Sequence, residues 1–180
     1  ASVATINEDA FLNNNLTQVT FNSGPETIGD NAFRGNQLTN ITIPSGTVTI
    51  GQGAFFNNQL TSISLPNTLD LIDREAFRNN QLSSLTIPTG VITIERAAFF
   101  GNSISSLVLS STVQTIGVDT FRNNQLTNVN LPNSLTTLGA GAFRNNLLTS
   151  IVIPDGITEI KSVTFRDNDL VNVTLPANLQ

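Results

Sequence analysis

The residues of this chain able to do chemistry are few, and the densest group is a run of carboxylates, Asp70, Asp73, Glu75 and Glu95, interleaved with Arg74 and Arg96. Two carboxyl groups flanking a sugar bond would define a glycoside hydrolase, one acting as acid and the other as base or nucleophile. These carboxylates, however, fall near the start of a segment with helical spacing, where Asp and Glu favour the dipole and aid solubility, and that structural role fits them better. Asp167-Asn168-Asp169 lacks the Gly and the closing Glu of a calcium loop. Gly51-Gln52-Gly53 and Gly139-Ala140-Gly141 lack the third Gly of a dinucleotide-binding turn. His, Cys, Met, Trp and Tyr are absent, which removes the usual metal ligands, the thiol nucleophile and the commonest general acid–base. The expectation is a protein that is not an enzyme, with no catalytic residue, no cofactor and no metal.

Charge narrows the partners. The net charge is −5 and Lys161 is the single lysine, so the clustered cations that neutralise phosphates are missing and nucleic acid is not an expected ligand. No apolar run approaches the roughly 18 residues that span a bilayer, so membrane insertion is not expected. No charged-then-apolar leader precedes Ala1, and a signal peptide, if the protein carries one, is expected to have been removed. The lack of any thiol or thioether suits an exposed, oxidising location. A hydrophobic content of 39% is enough to build a core.

The elements that position these residues follow from a repeat. Phe recurs at 11, 33, 55, 77, 99, 121, 143 and 165, always 22 residues apart. With each coil numbered from that Phe, position 4 is Asn throughout: Asn14, Asn36, Asn58, Asn80, Asn102, Asn124, Asn146 and Asn168. Position 6 is Leu or Ile, position 9 Val, Ile or Leu, and position 11 Leu, Ile or Phe, which spells LxxLxL. Alternation at 9 and 11 predicts a short strand with one buried face, ended in six coils by a Pro at position 12. Ile28-Gly-Asp-Asn-Ala32-Phe33 has the spacing of one helical turn and predicts a short helix or 3₁₀ segment.

One coil cannot bury both its strand and its turn, but stacked copies enclose a continuous core with like residues above like. The Phe column (Phe33, Phe55, Phe77, Phe99, Phe121, Phe143) is then a buried spine. The Asn column (Asn36, Asn58, Asn80, Asn102, Asn124, Asn146) is expected to be a structural ladder, because an amide against a core is costly unless both ends are hydrogen-bonded. The division expected is a single solenoid over 1–180: a partial coil 1–10, seven full coils 11–164 and an incomplete coil 165–180.

Positions 7, 8 and 10 of each coil should face solvent. Their 24 residues hold no charge and no aromatic: sixteen are Ser or Thr, five Asn or Gln, and three Val. The candidate interaction surface is drawn from this face: Thr39, Asn40, Thr42, Thr61, Ser62, Ser64, Ser105, Ser106, Val108, Thr127, Asn128 and Asn130. Protein interfaces draw their energy from Trp, Tyr and Arg anchors, which this face lacks. A hydroxyl array, with a second Thr row at position 17 (Thr5, Thr27, Thr49, Thr93, Thr115, Thr137), raises ice binding as an alternative to plain strand propensity. Position 2 alternates Arg34, Phe56, Arg78, Phe100 and Arg122, which reads as a stabilising cation–π ladder in preference to a partner-binding edge. Phe56 and Phe100 are the candidate exposed anchors. Coil 99–120 departs most from the pattern, with Ser103-Ile104, Ser110 and Val108, a local site if not simple drift.

The stretch Leu126-Thr-Asn-Val-Asn-Leu-Pro-Asn-Ser-Leu-Thr-Thr-Leu-Gly-Ala-Gly-Ala-Phe-Arg-Asn-Asn146, echoed by the other coils, resembles the BspA-like leucine-rich repeats of bacterial and protist surface proteins. The likeness covers the whole chain. Members often carry Cys where this chain has the Asn column, and Tyr near the Phe. The resemblance implies a repeat solenoid with a short parallel β-sheet on the concave side and short helical, 3₁₀ or β turns on the convex side. It implies a secreted or cell-surface scaffold for adhesion and protein binding, without catalysis, whose partner is a protein or cell-surface ligand. The first and last coils are out of phase by only a few positions, so a second copy stacked head to tail, building an extracellular filament, is the other partner expected. Equally, the chain is read as a possible excerpt of a longer protein with caps beyond it.

Overall fold

A computed structural model describes residues 4–177 and 179. The chain winds into about eight turns of 22 residues, each stacked on the last in strict register. A 22-residue offset places Thr beside Thr and Ile beside Ile. Seven two-residue strands, from Thr5–Ile6 through Thr27–Ile28 and Thr49–Ile50 to Thr137–Leu138, form one parallel sheet. This sheet lies on the position-17 Thr row, and its inward residue at position 18 is buried from Ile28 to Leu138.

The LxxLxL segment, where the main sheet was expected, is less regular. Its three-residue strands pair only two by two: Asn40–Thr42 with Ser62–Ser64, Ser84–Thr86 with Ser106–Val108, and Ser150–Val152 with Asn172–Thr174. Position 11 decides where pairing continues. Ile43, Ile87 and Ile153 donate their backbone N–H to the carbonyls of Ser64, Val108 and Thr174 at 2.9, 2.8 and 2.9 Å. Among the described residues Phe21, Leu65, Leu109 and Leu131, at the same position, make no such bond. β-Branched Ile holds the backbone extended and packs its side chain into the core, whereas the Leu and Phe side chains stay half-buried.

The short helix or 3₁₀ segment expected over Ile28–Phe33 does not form: the segment is a turn, and no helix is present among the described residues. Position 21 has positive φ in every coil (51° to 65°), and so does position 3 (53° to 68°). A left-handed residue ends any α-helical path. It also frees amides to bond outward: Asn31 N–H reaches Gln52 O at 2.8 Å and Phe33 N–H reaches Ala54 O at 2.8 Å, both in the next coil. Position 3 is filled by Asn, Asp or Gly (Gly35 and Gly101), the residues that tolerate this conformation. Position 21 is less consistent and includes Glu75, Ala97 and Val163.

The core is one continuous column. Phe rings from Phe11 to Phe165 stack at centroid distances of 5.2 to 5.9 Å with interplanar angles of at most 17°, an offset parallel arrangement that suits the ring quadrupole. Where a hydroxyl replaces an apolar core residue it is satisfied: Thr47 Oγ1 donates to Pro25 O at 2.7 Å, and Thr120 Oγ1 to Gly117 O at 2.9 Å.

Val163, a β-branched residue at φ 54° with 40% of its surface exposed, carries strain and little burial. Left-handed backbone costs a non-glycine residue roughly 1–2 kcal/mol, partly offset by the greater unfolded-state freedom of Gly. Val163→Gly is therefore expected to stabilise the chain by about 0.5–1 kcal/mol in denaturant titration, and Asn123→Val, which creates the same strain, to destabilise it.

Candidate interaction surface

The candidate face is built by the pleat of the three-residue strands. In Asn40-Ile41-Thr42 the outer residues are exposed and Ile41 is buried; Leu85 and Ile151 are likewise buried and Ile63 and Leu107 half-buried between exposed neighbours, while Asn172–Thr174 is exposed throughout. Thr39, Asn40, Thr42, Thr61, Ser62, Ser64, Ser105, Ser106, Thr127, Asn128 and Asn130 are all exposed and lie on this one face. Position 7 hydroxyls tie neighbouring coils together, Thr61 Oγ1 donating to Thr39 O at 3.2 Å and Ser105 Oγ to Ser83 O at 3.3 Å. Their lone pairs still face solvent. Val108, Val152 and Val171 stand out of the polar field at 55%, 64% and 81% exposure.

Sequence reasoning did not find the clefts on this face. Where a Leu at position 11 leaves the ladder open, the surface is indented. One cleft of about 500 Å3 is lined by Ile63, Leu65, Ile87, Pro88 and Val108. A second of about 300 Å3 is lined by Val129, Leu131, Ile151 and Pro154 between the coils that begin at Phe121 and Phe143. The available signal was the Ile-to-Leu alternation at position 11.

The position-2 column forms an alternating stack. The Arg34 guanidinium lies 4.6 Å from the Phe56 ring centroid, Arg78 lies between Phe56 (5.4 Å) and Phe100 (4.7 Å), and Arg122 lies 5.5 Å from Phe100. Each guanidinium is also held by position 21 of its own turn: Arg34 by Asn31 at 3.2 Å, Arg78 by Glu75 at 2.7 Å, Arg122 by Asp119 at 3.4 Å. Phe56 and Phe100 are half-buried, with their faces turned to guanidinium groups. Arg78 Nε and Arg122 Nε are buried without a hydrogen-bond partner, each on a guanidinium that lies against a ring. Of the carboxylates near the turns, Glu75 is engaged by Arg78, and Asp73 accepts the Arg74 backbone N–H at 2.6 Å.

Beneath the face, the Asn column joins successive coils. Asn80 Nδ2 donates to Phe55 O of the preceding coil at 2.9 Å and to Phe77 O of its own at 3.1 Å, and Asn80 Oδ1 accepts from the Leu60 N–H at 3.0 Å. Asn36, Asn58, Asn102, Asn124 and Asn146 repeat the pattern, and all are buried. Each core Phe carbonyl from Phe33 to Phe121 thus accepts from two Asn side chains, while each position-6 N–H depends on one.

Parallel strands in 22-residue register, a stacked Phe column and an LxxLxL segment define a leucine-rich-repeat solenoid. The chain belongs to the family described as the BspA type Leucine rich repeat region, which matches in six copies over residues 1–105 and 92–180. No curated protein matches it in sequence. Its fold is similar to that of a leucine-rich repeat protein from Bacteroides ovatus, with TM-score 0.62 and 17% identity over 99% of this chain and 66% of the other. It is also similar to the pneumococcal vaccine antigen PcpA, with TM-score 0.53 and 20% identity over 97% of this chain and 60% of the other. The chain therefore spans about two thirds or less of the length of either.

Asn80→Ala would leave the buried Leu60 N–H without an acceptor, while Phe55 and Phe77 each keep one donor. An orphaned buried donor plus the lost bonds predicts a destabilisation of about 2–4 kcal/mol by denaturant titration. Arg78→Lys keeps the charge but loses the planar group that lies between two rings, with an expected cost of about 1 kcal/mol in the same measurement.

Proposed function

We propose that this chain is a non-catalytic scaffold displayed outside the cell, which adheres to a protein or cell-surface ligand through the face formed by positions 7, 8 and 10. The observation that carries this reading is a broad exposed field of hydroxyl and amide groups, free of charge, broken by projecting Val side chains and by clefts with apolar floors. Such a surface can hydrogen-bond a partner without first stripping water from ions, and the Val residues and clefts supply the apolar contact that the field otherwise lacks. Regular scaffolds carrying a variable surface are a common basis for binding in solenoids. Family membership and the likeness to a vaccine antigen support extracellular display. No helix among the described residues is long and apolar enough to cross a membrane.

Ice binding would use the hydroxyl array of positions 7, 8 and 10 with the position-17 Thr row as a second array. That row lies in the continuous sheet, but Thr27, Thr49, Thr93 and Thr115 are half-buried and Leu71 interrupts it. The row is therefore neither continuous nor evenly exposed, Thr5 and Thr137 being exposed.

Beads coated with the chain are expected to adhere to host cells or to immobilised extracellular-matrix proteins. The triple variant Ser106→Asp, Val108→Asp, Asn130→Asp should reduce adhesion at least tenfold, a loss of about 1.4 kcal/mol or more. Equal adhesion by the variant, or thermal hysteresis by the wild type, would remove this face from the function proposed.

A further inference from the structure

The turn that joins the LxxLxL segment to the position-17 strand has the same geometry in six coils. It closes when the position-15 N–H donates to the position-12 carbonyl, as Ile157 does to Pro154 O and Leu135 to Pro132 O, both at 3.0 Å. Positions 13 and 14 are the central residues of this turn, and the closing bond leaves their own N–H groups unused. In the coil that begins at Phe143 they are Asp155 and Gly156, both exposed. Asp155 is the one Asp in the sequence that precedes a Gly, and no Asn precedes one.

A backbone nitrogen attacks the side chain before it only when both groups are free. The Gly156 N–H makes no hydrogen bond among the described residues, and a glycine has no side chain to block the approach. The Asp155 carboxyl has no ion pair and no hydrogen bond among the described residues, so it turns freely in solvent. Asn102-Ser103, another amide or acid followed by a small residue, is locked instead. Asn102 Nδ2 donates to Phe77 O and Phe99 O at 3.0 and 3.1 Å, and its Oδ1 accepts from the Leu82 N–H at 3.1 Å. The Ser103 N–H is itself spent on Leu82 O at 3.1 Å.

We propose that Asp155-Gly156 is a site of spontaneous backbone isomerisation in the folded protein, where aspartate becomes isoaspartate through a succinimide. The Gly156 nitrogen bonds to Asp155 Cγ. The nitrogen's proton and the hydroxyl of the protonated carboxyl leave together as water, and the imide ring closes. Water then adds to either ring carbonyl. Addition at Cγ restores aspartate, whereas addition at the α-carbonyl carbon frees an α-carboxylate and leaves the main chain running through the side chain, one methylene longer. The lengthened turn cannot keep the Pro154–Ile157 hydrogen bond with Ile157, 1% exposed, still in the core. Pro154 also lines the cleft between the coils that begin at Phe121 and Phe143, so the change reaches the interaction face.

Ageing the folded chain for weeks in neutral buffer at physiological temperature tests this, with isoaspartate labelled by an isoaspartyl methyltransferase and located by mass spectrometry of peptides. Isoaspartate at Asp155 should rise with time at unchanged mass, the Ile157 amide of aged material should lose protection from hydrogen exchange, and Asn102 should stay intact. Asp155→Glu, whose larger ring closes slowly, should form none. Asp155→Asn should react faster than the wild type and gain mass as its amide becomes an acid. Thermal melts check that both variants are folded. Aged, folded wild type without isoaspartate at Asp155 would overturn the proposal. So would modification of Asn102 to the same extent, because the fold would then not be selecting the site.

Discussion

A buried amide that belongs to two coils at once is the constraint on which this architecture depends. Apolar stacking alone fixes composition, not register, because Leu and Ile columns would tolerate rotation or sliding of one coil over the next. Asn80 does not tolerate it: its Nδ2 requires the Phe55 and Phe77 carbonyls and its Oδ1 requires the Leu60 N–H. Leaving any of these buried groups unmade costs roughly 1–3 kcal/mol. A displaced coil would therefore lose at one point what it gained in adaptable packing, and the penalty repeats at every coil. The Phe stack adds to this, each buried ring contributing roughly 1.5–3 kcal/mol of burial and a further 0.5–1.5 kcal/mol for its stacked partner.

With the Asn and Phe columns set, the side chains at positions 8 and 10 make no hydrogen bond to a neighbouring coil among the described residues, and this connects the fold to its surface. Two left-handed residues per coil turn the chain around the core and send amides forward to the next coil. The position-17 strand then pairs in every coil from Thr5–Ile6 to Thr137–Leu138, while the LxxLxL strand pairs only where a β-branched residue at position 11 holds it extended. The face carrying the exposed hydroxyls is thus the more irregular of the two, and its indentations lie where the ladder lapses. The regular sheet and the indented face are separated onto different sides of one coil.

Much of this was legible in the sequence. The 22-residue Phe interval gave the stacking and its register, the invariant Asn gave a buried amide in need of partners, and the alternation of Arg34, Phe56, Arg78, Phe100 and Arg122 anticipated the cation–π stack. Less legible was the turn. Ile28 to Phe33 has the spacing of a helix, and the spacing cannot reveal that Asn31 is left-handed, because Asp, Gly, Glu, Ala and Val also occupy that position in other coils. The column at position 3, limited to Asn, Asp and Gly, carried that information and was the stronger turn signal. The clefts depended on the difference between Ile and Leu, which a simple apolar pattern treats as one class.

Amide hydrogen exchange addresses the amide column most directly. The N–H groups of Leu60, Leu82 and Leu126 bond to an Asn side chain instead of to a backbone carbonyl. If Asn80, Asn102 and Asn146 hold the coils in register, these amides exchange among the slowest in the protein, as slowly as those of the continuous sheet. Exchange as fast as that of the exposed turn around Asn133 would contradict that role.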